Sequence, residues 1–198
     1  MPEFIVRAHS APTDPARFLG EQGREAHVEY LAHIVIAGMF ISKGHREDVT
    51  ITLVLEQSHD YSRAIILSGD SLGSLGGVSE SAILTVLAQA LYESLDLKKD
   101  DSRVLSNGVG VSATSFERLV KSRLDRGGVF LMDRKGGDIR DAELTAEPVF
   151  LLTDHVPLPR NLHKSFLRQG ASPLSLGPVV LQASQCLPII LNEIDRRG

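Results

Sequence analysis

The chain has 198 residues, 42% of them hydrophobic, with one cysteine and a formal net charge of −4, which allows one sizeable core or two small ones and gives no sign of disorder or low complexity. The lone cysteine excludes internal disulfides and the closely spaced four-ligand set of a structural zinc site, and the acidic balance argues against a protein that coats nucleic acid by charge alone. No apolar run approaches the roughly 18 residues of a membrane span, and Met1-Pro2-Glu3-Phe4 lacks the layout of a secretory signal, so the expected setting is a reducing cytoplasm without a membrane partner.

In chain order, Phe4 to Ala8 reads as a first strand. Glu25 to Ile41 reads as a helix, with Val28, Leu31, Ala32, Val35, Ile36 and Met39 on one stripe. After the polar stretch Ser42-Lys43-Gly44-His45-Arg46 come strands at Val49 to Leu55 and Arg63 to Ser68. A helix from Ser79 to Leu95 starts on a polar cap at Ser79, and a shorter one spans Ser115 to Leu124. Strands at Val129 to Met132 and Val149 to Leu152, a helix at Asn161 to Arg168 and a strand at Pro173 to Leu176 follow. A last helix, Pro178 to Ile194, contains Pro188, which should bend it after Ser184. Alternating strands and helices indicate an α/β fold with a largely parallel sheet. No repeat or linker divides the chain, so residues 1–198 read as one domain.

Three glycine-bearing stretches fail as phosphate loops. Gly69 to Gly77 has no Gly-Lys-Ser/Thr ending, Gly108-Val109-Gly110 lacks the third glycine of the dinucleotide fingerprint, and Lys135-Gly136-Gly137-Asp138 reads as a turn between Met132 and Ile139. His27 and His33, six apart on a helical pattern, do not suit a shared metal, and no metal is expected. Cys186 lies on the stripe Val179, Ala183, Cys186, Leu187, Ile190, Leu191, Ile194 and reads as a buried small hydrophobe.

The last quarter carries the functional signal. One strand ends in Thr153-Asp154-His155, another in Leu174-Ser175-Leu176-Gly177-Pro178, and a helix follows. Small, uncharged residues at Ser175 to Pro178 leave backbone open to a ligand, which makes this a candidate nucleoside site. From Val156 to Gly198 there are five basic residues (Arg160, Lys164, Arg168, Arg196, Arg197) against Glu193 and Asp195. A solvated face and a nucleic-acid contact are both compatible with that excess.

The opening Phe4-Ile5-Val6-Arg7-Ala8-His9-Ser10, the strand end Thr153-Asp154-His155, the turn Leu174 to Pro178 and the segment Ala183-Ser184-Gln185-Cys186 together resemble the tRNA pseudouridine N1-methyltransferase family of the SPOUT superfamily, in its bacterial branch. The likeness extends over nearly the whole chain, through Glu25-Ala26-His27, His45-Arg46-Glu47-Asp48-Val49 and Ser115-Phe116-Glu117-Arg118-Leu119. It implies a largely parallel sheet with helices on both faces and a C-terminal trefoil knot, about residues 127–198, a topology that general rules of chain connection do not suggest. It also implies S-adenosyl-L-methionine as cofactor, held by Met132, Thr153, Asp154, Leu174, Ser175, Leu176, Gly177 and Cys186; if a catalytic base is used, Asp154 and His155 are the nearest candidates by sequence and His9 a weaker one. The implied partners are a structured RNA, tRNA foremost, and a second copy of the chain paired through the knot helices. Arg7, His9, Arg24, His45 and Arg46 are the expected RNA contacts.

The chain departs from the archaeal pattern at Arg24-Glu25-Ala26-His27, at Ser42 to Arg46 and at Leu75-Gly76-Gly77-Val78-Ser79-Glu80, all outside the expected cofactor loops. Transfer of the archaeal substrate is therefore not implied. The competing reading is a dimeric knotted module that binds RNA or protein without catalysis.

Overall fold

Phe4, Ile5 and Val6 are all fully buried, although side chains alternate in direction along a strand. Only a strand covered on both faces can do this, which places β1 (Glu3–Pro12) in the middle of a sheet. The computed structural model describes residues 1–198. It contains one eight-stranded sheet and a two-stranded ribbon of β2 (Phe40–Ile41) and β3 (Gly44–His45). In the large sheet, β10 (Ser172–Ser175), β8 (Val129–Asp138), β9 (Val149–Thr153), β1 and β4 (Thr50–Gln57) run parallel in that order. Beyond β4 the sheet turns antiparallel through β5 (Arg63–Ser68), β7 (Gly110–Ser112) and β6 (Ser102–Val104).

Helices cover both faces. The larger core contains Phe4 and Val6 with Phe18 of α1 (Pro15–Gly20) and residues of α2 (Glu29–Met39), α3 (Glu80–Tyr92) and α6 (Ala183–Arg197). The smaller core contains Ile5 with Phe116 and Val120 of α4 (Phe116–Leu124) and Phe166 of α5 (Arg160–Arg168). In-register Phe4, Phe150 and Phe130 form an aromatic ladder across β1, β9 and β8, with ring centroids 5.3 and 5.5 Å apart. That ladder fixes the three strands whose ends frame the site.

Several expected boundaries move, each for a local reason. Helix α2 starts at Glu29 rather than Glu25 because His27 sits at φ +47°, in the left-handed region. Helix α1 carries a signal that hydrophobic periodicity passes over: the Asp14 carboxylate accepts from the Arg17 N–H at 2.7 Å, and Pro15 occupies the first turn. Strands β6 and β7 have only three residues each and no apolar run. Lys135 to Asp138 is not a turn but the far half of β8. Helix α6 starts at Ala183, not Pro178, where Gln182 and Gln185 form a capping box, and continues through Pro188 to Arg197.

The apolar stripe expected on the last helix is spent inside the chain. Ala183, Cys186, Leu187, Ile190 and Leu191 are buried in the core shared with α2, whereas Val179 and Val180, which precede the helix, are 68% and 80% exposed.

Candidate active site

Strand β10 pairs with β8 at Ser172–Phe130 and Pro173–Leu131, and then the register jumps so that Leu174 faces Gly137. Strand β8 also pairs with β9 only as far as Leu131. Residues 132–136 are therefore pushed out of the ladder, and a cleft opens beside them. The jump requires Gly136: a Cβ there would lie 2.5 Å from the Leu174 nitrogen and the Pro173 carbonyl carbon.

The cleft encloses about 500 Å³ between Met132–Arg134 on one side, Leu152–His155 on the other and the first turn of α6, including Ala183 and Cys186. A second hollow of about 100 Å³ joins it across Met132, Leu181 and Cys186 and is bounded by Leu174, Ser175, Leu176 and Gly177. A third, of about 110 Å³, shares Asp154, His155, Gln182 and Ala183 with the main cleft and is closed by Tyr30, Ile34 and Ser184. Met132, Thr153, Asp154, Leu174, Ser175, Leu176, Gly177 and Cys186, singled out from the sequence, thus line one connected set of cavities. Another cleft of about 510 Å³ lies at the opposite edge, around Glu3, Thr50, Arg123 and Val149. Ligands of open α/β sheets bind outside the carboxyl ends of the strands, and the 510 Å³ cleft is at the amino ends.

The walls are held in place. Ser175 Oγ accepts from the Gly177 N–H and donates to the Gly177 carbonyl, both at 3.2 Å, and Gly177 is at φ +127°, a conformation that suits glycine alone. His163 Nε2 of α5 lies 3.2 Å from Asp133 Oδ2 and pins the bulged segment. Cys186 points into an apolar wall, and burial pushes its thiol up to about 11, which excludes a thiolate nucleophile near neutrality.

Asp154 is the most unusual carboxyl of the cleft. Its Oδ1 accepts from the Val156 N–H at 2.8 Å, whereas Oδ2 is buried without a partner. Burial raises its pKa, partly offset by the Val156 backbone N–H, by the nearby His155 and by weaker backbone interactions with Ser10 and His9. The carboxylate is therefore a stronger base than an exposed aspartate. His155 is exposed and packs edge-on against His27, with centroids 4.9 Å apart.

The five expected RNA contacts are not equivalent. Arg7 is turned inward: its side chain is 8% exposed, with Nη2 2.7 Å from Glu56 Oε2, and Nε and Nη1 are buried without partners. His9 Nδ1 lies 2.9 Å from the same Glu56 oxygen. Arg46 is clamped by Asp48 and Asp195, which raise its pKa, against the last turns of α6. That is roughly 20 Å along the helix from the cleft at 1.5 Å per residue. His45 Nε2 bonds the Gly69 carbonyl at 3.0 Å, and Arg24 is exposed. For Arg7 and Arg46 a surface contact gives way to an ion pair.

Two further features adjoin the cleft, a basic row whose residues the sequence had marked as a local excess and a ring cluster that it had not. Arg160, Lys164 and Arg168 of α5 recur at i, i+4 and i+8, are exposed, and take part in no ion pair, while α5 abuts the cleft through His163. Rings of His27, Tyr30 and His155 also cluster at the rim. The cation spacing was readable; the ring cluster joins residues far apart in sequence. There is no group of three or more His, Cys, Asp or Glu side chains arranged to hold a metal ion, and no helix is long and apolar enough to cross a membrane.

This layout defines an α/β protein with a cleft of nucleoside size at the carboxyl edge of its parallel strands. The whole chain, residues 1–198, matches the family described as "Putative SAM-dependent RNA methyltransferase", and the chain belongs to that family. It is 45% identical over 195 residues to a protein of Shewanella baltica (strain OS155 / ATCC BAA-1091), covering 98% of each chain. It is 43% identical over 197 residues to one of Vibrio cholerae, covering 100% of this chain and 98% of the relative. Both relatives are named "Putative pseudouridine methyltransferase". The fold is similar to that of Archaeoglobus fulgidus Nep1 bound to S-adenosylhomocysteine, with a TM-score of 0.59 at 10% identity over 98% and 97% of the two chains. The protein is an S-adenosylmethionine-dependent RNA methyltransferase whose fold is similar to that of Nep1.

The orphaned oxygen has a stability consequence. A carboxyl whose pKa is higher folded than unfolded binds more protons in the folded state, so its stability contribution is full below the unfolded value of about 3.9 and is lost as pH rises through the raised value. Asp154→Asn is expected to raise the thermal midpoint at neutral pH and to have little effect at the acid end. Parallel melting curves for wild type and variant across pH check this; a constant offset at every pH would contradict it.

Proposed function

We propose that the cleft binds S-adenosylmethionine against Met132, Thr153, Asp154, the Leu174–Gly177 loop and Cys186, and that the protein methylates N1 of a pseudouridine in a structured RNA, with tRNA the first candidate. The observation that carries this reading is the convergence of the bulge after Leu131, the end of β9, the loop after β10 and the first turn of α6 on one cavity that a half-buried carboxyl, Asp154, helps to line. The residues suit the donor: about 500 Å³ is within the range of small-molecule sites, Leu176, Leu181 and Cys186 supply apolar walls, and Asp154 supplies negative charge. When bound, the donor supplies a methyl group on a positively charged sulfur. Bond formation from N1 to that carbon would break the carbon–sulfur bond, and the N1 proton would pass to the Asp154 carboxylate. Alignment of the reactants is worth on the order of 7–11 kcal/mol and a positioned base roughly 10²–10⁴-fold, so the chain's main task is to hold two reactants in line.

Calorimetry with S-adenosylhomocysteine should give saturable heat at one site per chain. Asp154→Asn should keep that binding while methyl incorporation into pseudouridine-containing RNA falls by about 10²–10⁴-fold. No heat at high ligand concentration would favour a binding module with a vestigial pocket. Mass spectrometry of RNA nucleosides from deletion and normal cells identifies the modified base.

In this reading the α5 cations form the RNA-facing rail, because Arg160, Lys164 and Arg168 are free where Arg7 and Arg46 are committed. Replacing all three with Ala should weaken RNA binding and lower its salt slope by about one per lost phosphate contact. An unchanged slope would remove the rail.

The reading also includes one domain over residues 1–198, a trefoil knot from about residue 127 and a homodimer. For the knot, the support is Arg197 at the end of α6, which donates to the carbonyls of Ile139 (2.5 Å) and Ala142 (2.6 Å) in the β8–β9 connection. For the dimer, the support is the exposed Val179, Val180 and Ile189. Sedimentation should give a dimer for wild type and a monomer for Val180→Asp; a monomeric wild type that binds the donor would exclude pairing. The cytoplasm is the setting this reading assigns.

A further inference from the structure

The small hollow between Tyr30 and the first turn of α6 is not needed by the donor cleft, yet it adjoins that cleft through Asp154, His155, Gln182 and Ala183. Its volume, about 110 Å³, is of the order of a single pyrimidine ring. Two aromatic rings, Tyr30 and His155, line it, and a third, His27, packs against them. His27 stacks on Tyr30 with centroids 5.1 Å apart and an interplanar angle of 13°, and His155 meets both edge-on, at 4.9 Å from His27 and 6.1 Å from Tyr30. Packing of this kind brings together α2, the segment before it and the loop after β9, none of which needs exposed rings for stability. His27 holds its place at φ +47°, a backbone conformation that costs a non-glycine residue energy. Its imidazole is anchored by Glu29 Oε1 at 3.3 Å.

We propose that this hollow seats the target base and that Tyr30, with His27 and His155 behind it, is the stacking surface that holds the nucleotide out of the RNA. A base must leave its stack before an enzyme can reach a ring nitrogen, and single-stranded or extruded bases are held by stacking on Tyr and His side chains. The floor of the hollow explains the choice of base. Pseudouridine has a hydrogen-bond donor at N1 where uridine has only a carbon–hydrogen bond, and the acceptor carboxyl of Asp154 is among the residues that line the hollow. A buried polar group left unpaired by the wrong ligand rejects it strongly, so uridine would leave the carboxylate unsatisfied. The inference rests on the donor-cleft reading for the identity of the reaction, and its test does not depend on turnover.

The test measures the affinity of an RNA stem-loop containing one pseudouridine, without donor, for wild type, Tyr30→Ala, Tyr30→Phe and His155→Ala. Stacking predicts a loss of about 10- to 100-fold for Tyr30→Ala, a smaller loss for His155→Ala and near-wild-type affinity for Tyr30→Phe. The same RNA with uridine at that position should bind wild type more weakly, and the difference should shrink in Asp154→Asn. S-adenosylhomocysteine binding by Tyr30→Ala, unchanged within about twofold, shows that the variant is folded and that the hollow is not the donor site. Equal RNA affinity for Tyr30→Ala and wild type overturns the proposal, as does loss of S-adenosylhomocysteine binding in a variant whose circular dichroism is native. Should wild type bind no S-adenosylhomocysteine, the donor-cleft reading fails, and the RNA titrations still decide this one.

Discussion

Strands β8 and β10 part register between Pro173 and Leu174, and everything that makes the site concave follows from that slip. A continuous ladder would keep Met132, Asp133 and Arg134 in the plane of the sheet and close the space beside β9. The slip instead turns these residues into a wall, and it is possible only because the Pro173–Leu174 backbone can press against Gly136. Both neighbours of β8 cooperate: β9 leaves it after Leu131 and continues along β1 to the Arg7–Thr153 pair. A topological feature, the return of the chain past β8 to form the sheet edge, is thereby converted into a binding surface at the strands' carboxyl ends.

Charge is distributed with the same economy. The chain is acidic, and many of its arginines are bound to carboxylates, as with Arg7 and Glu56, Arg46 and Asp195, Arg63 and Asp60, or Arg123 and Glu3. Pairs such as Arg7–Glu56, buried among strand ends, offset a desolvation cost rather than add much stability, and breaking one would leave an uncompensated charge. Against this background Asp154 stands out as a buried carboxyl with no cationic partner in contact and one oxygen unmatched. Folding bears that cost, which is what a positioned proton acceptor requires.

Strand and helix cores were legible because apolar runs and 3.6-residue stripes reflect burial directly: the five parallel strands, α2, α3, α4 and α5 all fall where those patterns lie. The antiparallel edge was not, because β6 and β7 are held by a neighbour's hydrogen bonds rather than by their own apolar content. Lys135 to Asp138 shows the limit most clearly. Two glycines after a strand signal a turn locally, and only the non-local approach of β10 makes them strand. Among site residues, those on strand ends and in the Leu174–Gly177 loop were readable from small-residue composition and family likeness. Arg7 and Arg46 misled because a cation's partner, Glu56 or Asp195, is invisible until the chain folds. Tyr30 and His155 come from segments that meet only across the top of the sheet.

The absence of a nucleophile–base–acid constellation is consistent with the chemistry the site has to perform. A donor with a good leaving group needs no covalent relay, so selection can act on shape: one cavity for the donor, one for the acceptor base, and a shared partition. Asp154, His155, Gln182 and Ala183 are that partition, bounding both hollows at once. Any group mounted there can sense which base has arrived and take its proton without moving. A carboxylate fixed by the Val156 N–H through one oxygen, on a residue that lines both hollows, is suited to both tasks. Specificity and catalysis would then draw on the same carboxyl group, which explains why a destabilising feature is held in an otherwise well-paired structure.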